Sequence, residues 1–266
     1  MTETVVSGGE FRISACFTKS PSAFFANFVS FNLLGLLIMV PGFLVITLLF
    51  GAVFASLMVI DHGANPEFLN FGAFHFAAFG GSWILLFSLQ YLLTAVIVYG
   101  TLQYLQGRRP GFLPPLMQGL SRLLPIITVS IISSILIMIG LILLIVPGII
   151  IAVMLCVAIP VVVVERPGIL AALSRSRKLT KGFRWPLFGL LLVTFLFVMV
   201  VNFVVALPFE LLLPVDGLFL TINTIIGVAL QLFTTVFFAV VIGVAYHDLR
   251  VAKEGIGTEQ IASVFD

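Results

Sequence analysis

Charge is what this sequence lacks most. Of 266 residues only 9% are charged, 61% are hydrophobic, and the mean hydropathy is +1.26. Soluble domains carry about 25% charged and about 45–50% apolar residues. A globule this poor in charge could not cover its own surface. A soluble enzyme, a disordered chain and a nucleic-acid binder are thereby excluded. Cysteine is nearly as scarce: Cys16 and Cys156 are the only two, too few for a disulfide framework or a cysteine-rich metal site. The three histidines, His62, His75 and His247, fall in separate segments. Gly80-Gly81 lacks the lysine and the flanking strand of a phosphate loop. Neither a catalytic constellation, a cofactor motif nor a metal site is expected.

Long apolar runs are what the sequence has. A helix needs about 20 apolar residues to cross roughly 30 Å of hydrocarbon. Phe28 to Ile60 is 33 residues without a charge, about 50 Å if helical throughout. It reads as one long helix kinked near Pro41-Gly42. It is too long for a signal-peptide core, so Val53-Phe54-Ala55 is not read as a cleavage site. Pro125 to Val164 is 40 residues without a charge, about 60 Å as a single helix. Pro147-Gly148 is expected to fold it into a tight hairpin. The spacing predicts helices over about 28–60, 79–101, 125–146, 149–164, 186–206 and 218–246. An interfacial segment over 11–27 precedes them and a cytoplasmic tail over 247–266 follows. The expected fold class is an all-α polytopic membrane bundle in a single domain.

The basic residues test this count independently. Arg12 and Lys19 precede the first crossing, and Arg108, Arg109 and Arg122 lie in the second loop. Arg166, Arg175, Arg177, Lys178, Lys181 and Arg184 lie in the fourth loop, with Arg250 and Lys253 in the tail. Six crossings put all thirteen on one side, which the positive-inside rule makes cytoplasmic. The inner (plasma) membrane, with both termini cytoplasmic, is the expected location. The other side carries Asp61, Glu67, Glu210 and Asp216.

The basic loops also echo one another. Arg109-Pro110-Gly111-Phe112-Leu113 resembles Arg166-Pro167-Gly168-Ile169-Leu170. Leu113, Leu116, Met117, Leu120 and Leu124 fall on one helical face. Ile13, Cys16, Phe17, Phe24 and Phe28 follow a looser version, and Ile169, Leu170 and Leu173 oppose Arg177, Lys178 and Lys181. Three units are expected, each an interfacial amphipathic helix followed by a transmembrane hairpin. A fourth interfacial helix is expected to start at Thr258 and run to Phe265.

Three groups of residues are candidates for function. Arg166, Arg175, Arg177, Lys178, Lys181 and Arg184, with Trp185 at the boundary, suit acidic lipid headgroups or a docking partner. The same residues also suit topology setting and anchoring. Glu165, Asp248 and Arg250 are expected to form interfacial ion pairs, Glu165 with Arg175 or Arg177. Asn32, Gln90, Asn202, Asn223 and Gln231 are expected either to bond between helices or to line a substrate path. No charge falls inside an expected crossing, which argues against ion-coupled transport. Trp83 and Tyr91 are expected as lipid or interface contacts.

A family resemblance follows from the second half of the chain. Val146-Pro147-Gly148-Ile149-Ile150 is followed by Pro160-Val161-Val162-Val163-Val164-Glu165. Ala171-Ala172-Leu173-Ser174-Arg175-Ser176, Leu179-Thr180-Lys181-Gly182, Trp185 and Tyr246-His247-Asp248-Leu249-Arg250 come after. This set resembles the membrane-domain family named after glycerophosphoryl diester phosphodiesterase, and YciC-type inner-membrane proteins of unknown function. His247 departs from it, since relatives often have a second aromatic there. The resemblance implies a membrane module without the hydrolase domain. With no catalytic constellation, no charge in a crossing and a basic rim, the function expected is non-enzymatic: a scaffold or accessory subunit engaging membrane lipids, a membrane-protein partner or further copies of itself. The alternative is a channel or transporter for a lipid-like or small amphiphilic molecule. It predicts a cavity lined by Asn202, Asn223 and Gln231.

Overall fold

A computed structural model describes residues 13–60, 68–212 and 217–255. Arg12, His62, Asp61, Glu67, Asp216 and the helix expected over 258–265 lie outside the described residues. Among the described residues every regular element is a helix. Six helical stretches are long and apolar enough to cross a membrane, which suits a multi-pass membrane protein.

Helix α1 (Ile13–Ala26) leads into α2 (Phe28–Ile60), whose ends match the expected first crossing. Helix α3 (Phe68–Leu105) is longer than the expected 79–101 at both ends. Apolar content marks where lipid can lie, whereas backbone hydrogen bonding carries a helix on through polar residues such as Asn70 and Gln103. Helix α4 (Leu113–Ser121) has Pro114 and Pro115 in its first turn, where their missing N–H groups have no intrahelical partner to lose.

The turn of the central hairpin differs from expectation. Helix α5 (Leu123–Leu143) ends at Leu144, which is extended (φ −165°, ψ 149°), and α6 (Ile145–Leu155) begins directly after it. Pro147 therefore sits in the first turn of α6, not in the loop. Gly148 serves packing instead. A Cβ on Gly148 would lie 2.7 Å from the Leu141 nitrogen, and one on Gly140 would lie 2.9 Å from Gly148 Cα. The pair of glycines lets the two arms touch backbone to backbone. After a break at Cys156-Val157 the chain resumes as α7 (Ala158–Val164), so the expected fourth crossing is two helices.

Helix α8 (Ile169–Thr180) precedes α9 (Arg184–Leu212). Pro208, expected in a loop, lies inside α9. Helix α10 (Gly217–Glu254) likewise runs past the expected end at 246 and takes in the first residues of the expected tail. No breaker intervenes before Gly255, whose φ of +61° and bond from its N–H to the Val251 carbonyl close the helix.

The core lies where α3 and α10 meet, with α7 and α2 packed around them. Leu93, Ile97 and Leu102 of α3 and Val240, Val244 and Leu249 of α10 are fully or almost fully buried. Small residues set the approach: Gly35 faces Leu232, Gly42 faces Leu89, and Gly243 faces Thr101. The outward faces stay apolar. Leu48, Ile142, Phe195 and Phe203 are exposed, a surface that water would not tolerate and lipid would.

Candidate functional site

Contacts gather the basic segments at one end of the bundle. Lys19 of α1 reaches Asp248 of α10, and Lys253 of α10 donates to the Lys178 carbonyl of α8 at 2.8 Å. Arg175 of α8 reaches Glu165, just past α7. Gln118 of α4 donates to the Val163 carbonyl at 3.3 Å, and Ser176 of α8 to the Met154 carbonyl of α6 at 2.8 Å.

Two polar networks hold this end together. In the first, Arg175 Nε donates to Glu165 Oε2 at 2.7 Å, and Arg175 Nη2 pairs with Glu254 Oε1. Tyr246 Oη donates to Glu165 Oε1 at 2.9 Å, and Arg250 Nε donates to Glu254 Oε2 at 3.0 Å. The Arg250 guanidinium also lies 5.9 Å from the centre of the Tyr246 ring. Two arginines and two glutamates balance, so the cluster is neutral as a whole. Burial works against the charge of Arg175, but the bonds to Glu165 and Glu254 outweigh it and hold the guanidinium above its ordinary range. Arg166, next to Glu165, turns the chain with φ +54°, a left-handed conformation unusual for a residue with a side chain.

The second network centres on Asp248. Lys19 Nζ donates to Oδ1 at 2.8 Å, Cys16 Sγ donates to Oδ2 at 3.3 Å, and His247 Nδ1 lies 3.1 Å from Oδ1. Burial pushes the Cys16 thiol up to about 12, with the Asp248 carboxylate adding to the shift. Asp248 and Arg250 thus belong to different clusters, each with its own ion-pair partner. Glu165 is paired with Arg175, and Arg177 points elsewhere. The pairings of Tyr246, Glu254, Lys19 and Cys16 are not among those expected from the sequence. Glu254 was legible, since it stands four residues after Arg250, the spacing of a helical ion pair. The other contacts depend on how distant helices meet.

Four cations of the fourth loop face outward. Arg166, Arg177, Lys178 and Lys181 are exposed, and Arg177, Lys178 and Lys181 make no ion pair among the described residues. Arg184 is half-buried, and its neighbour Trp185 is 82% exposed, with its ring set edge-on to Phe188.

The uncharged polar candidates divide. Gln90 donates to Thr235 Oγ1 at 3.0 Å, joining α3 to α10. Asn202 donates to Thr234 Oγ1 at 3.1 Å, joining α9 to α10, and to its own helix at Val198 O. Asn32 bonds back to the Phe28 carbonyl within α2. Tyr91, expected as a lipid contact, meets Ser134 of α5 at 3.0 Å. A cleft of about 630 Å³ lies between α2, α3 and α10. Gln90, Thr224, Gln231 and Thr235 supply its polar atoms, among residues such as Met39 and Leu86. Of the three residues expected around a cavity, it contains Gln231 but neither Asn202 nor Asn223. Among the described residues no group of three or more His, Cys, Asp or Glu side chains could hold a metal ion.

Fold and site define an all-helical protein with six potential membrane crossings and an ion-paired, cation-rich end. The family model of a domain of unknown function, DUF7847, matches residues 87–249. That is more than half of the chain, and the chain belongs to this family. No curated protein and no solved structure matches it.

Proposed function

We propose that this is a non-enzymatic inner-membrane protein, a scaffold or accessory subunit that engages lipids or partner proteins through a basic cytoplasmic face. The observation that carries this reading is the division of labour among the cations of α8 and its C-terminal cap. Arg175 is consumed by internal ion pairs, while Arg177, Lys178 and Lys181 are left exposed. Each juxtamembrane cation gains about 1 kcal/mol from an anionic leaflet. On this reading both termini are cytoplasmic, and the crossings form three hairpins: α2/α3, α5 with α6–α7, and α9/α10. Helices α1, α4 and α8 precede them at the interface. Leu113, Met117 and Leu120 of α4 and Leu170 of α8 are exposed, as lipid-facing side chains would be. Helix α1 differs, because its Cys16 and Phe24 are buried against the bundle. The motif likeness to the glycerophosphoryl diester phosphodiesterase membrane-domain family supports a membrane module of this kind.

The test is the combined variant Arg177→Gln, Lys178→Gln, Lys181→Gln, purified from membranes beside the wild type. Loss of co-purifying acidic lipids or of a partner protein is expected, with abundance and topology unchanged. Retention of both would overturn the reading.

The cleft between α2, α3 and α10 favours a second reading, passage of a lipid-like or small amphiphilic molecule. Its volume suits a small ligand, and its amides and hydroxyls would meet a polar head. Substituting Gln231→Trp would block transport of a fluorescent amphiphile into proteoliposomes if this reading holds. Equal uptake with and without the protein would exclude it.

A further inference from the structure

A groove between α6 and α9 carries a more specific inference, which rests on the lipid-engaging reading above. Val146, Ile149, Ile150 and Val153 recur at i, i+3, i+4 and i+7 and form one stripe along α6. Arg184, Trp185 and Phe188, from the first turns of α9, form the opposite wall. The space between them is about 480 Å³, within the ~300–1,000 Å³ of ligand sites. Val146 to Val153 covers about 10 Å of helix, a large part of the roughly 15 Å hydrocarbon depth of one leaflet.

The groove is aliphatic and aromatic except for Arg184, the first residue of α9. Its Nε is shielded from solvent and has no hydrogen-bond partner among the described residues. A shielded cationic N–H without an acceptor is costly, and an anion relieves it. The chain reaches Arg184 through Gly182, at φ +93°, so the exposed Lys181 stands close by in sequence. Trp185 is an amphipathic ring of the kind that marks the edge of a bilayer. An apolar trench with a single cation in its lining is the complement of an amphiphile with an anionic head.

We propose that this groove holds one anionic phospholipid, its acyl chain along the α6 stripe and its phosphate at the Arg184 guanidinium. Inorganic phosphate would use Arg184 and leave the stripe uncovered. A zwitterionic lipid would fill the stripe but bring a second positive charge to a basic rim.

The test uses the full chain, delipidated in detergent and titrated with phosphatidylglycerol, phosphatidylcholine or inorganic phosphate, with bound lipid read by native mass spectrometry. Phosphatidylglycerol is expected to bind in preference to the other two. Arg184→Gln is expected to weaken it about tenfold or more, the loss of one charge-assisted bond. Ile150→Trp, which fills the groove and keeps the charge, is expected to weaken it as well. It decides the matter if Arg184→Gln fails to fold, as judged by thermal unfolding. Equal phosphatidylglycerol affinity in wild type and folded variants would overturn the proposal. So would phosphate binding as tightly as the lipid, or a co-purified polypeptide that protects the groove. The α8 triple variant separates the two readings. If it loses lipids or partners while the groove variants change nothing, the groove proposal alone fails. If the groove variants lose bound lipid while the triple variant keeps all its partners, the scaffold reading alone fails.

Discussion

Arg175 and Arg177 stand two residues apart on α8 and do opposite things. Arg175 bridges Glu165 and Glu254, whose side chains are 18% and 19% exposed, while Arg177 lies open. Replacing Arg175 by Gln leaves two partly shielded carboxylates facing each other. A cost of about 1–2 kcal/mol is expected, below that of a fully buried pair because solvent still reaches the site. Arg177→Gln is expected to stay within about 0.5 kcal/mol of wild type. Thermal unfolding in detergent measures both, and equal losses would refute the division. Cys16 gives a second residue-scale prediction. Its thiol is buried and pushed up from 9.0 to about 12, so almost no thiolate is present at pH 8. In a Cys156→Ser background a maleimide should label the chain only after denaturation. Between pH 9 and about 12 the unfolded thiol ionises while the folded one keeps its proton, so stability falls with rising pH across that window. A Cys16→Ala variant should lack this component. These pairings were only partly legible in the sequence. Glu165 was expected to find a cation of the fourth loop, and Glu254 stood in register with Arg250. The reach of Lys19 and Cys16 to Asp248, more than two hundred residues away, depends on helix packing that no local pattern encodes.

The elements themselves were more legible, because hydrocarbon imposes a length. The first crossing ends where the apolar run ends. Elsewhere the helices outrun the apolar stretch, as α3 and α10 do, because a breaker and not a polar side chain stops a helix. The central hairpin shows the other limit. Pro147-Gly148 has the composition of a turn, yet the turn is at Leu144 and the glycine packs against α5. Gly148→Val should therefore push the two arms apart and cost about 1–3 kcal/mol. Pro147→Ala, in a first turn, should change stability by less than about 0.5 kcal/mol. Unfolding midpoints of the two variants distinguish packing from turn formation. A tolerated Gly148→Val with a damaging Pro147→Ala would restore the turn to the dipeptide.

At the scale of the whole molecule, scarcity of charge and its placement act together. Lys19, Arg175 and Lys253 meet partners at one end of the bundle, while the outward faces of α2, α5 and α9 are apolar. The proposed working surface is that end, and it makes sense only if it faces the cytoplasm and its anionic leaflet. The site therefore stands or falls with orientation, which is proposed from the distribution of basic residues. The most direct measurement places a single cysteine at Lys178→Cys in a Cys16→Ser, Cys156→Ser background and treats intact cells with a membrane-impermeant maleimide. Labelling only after the cells are opened is the predicted result. Labelling in intact cells would contradict the proposal of a cytoplasmic basic face.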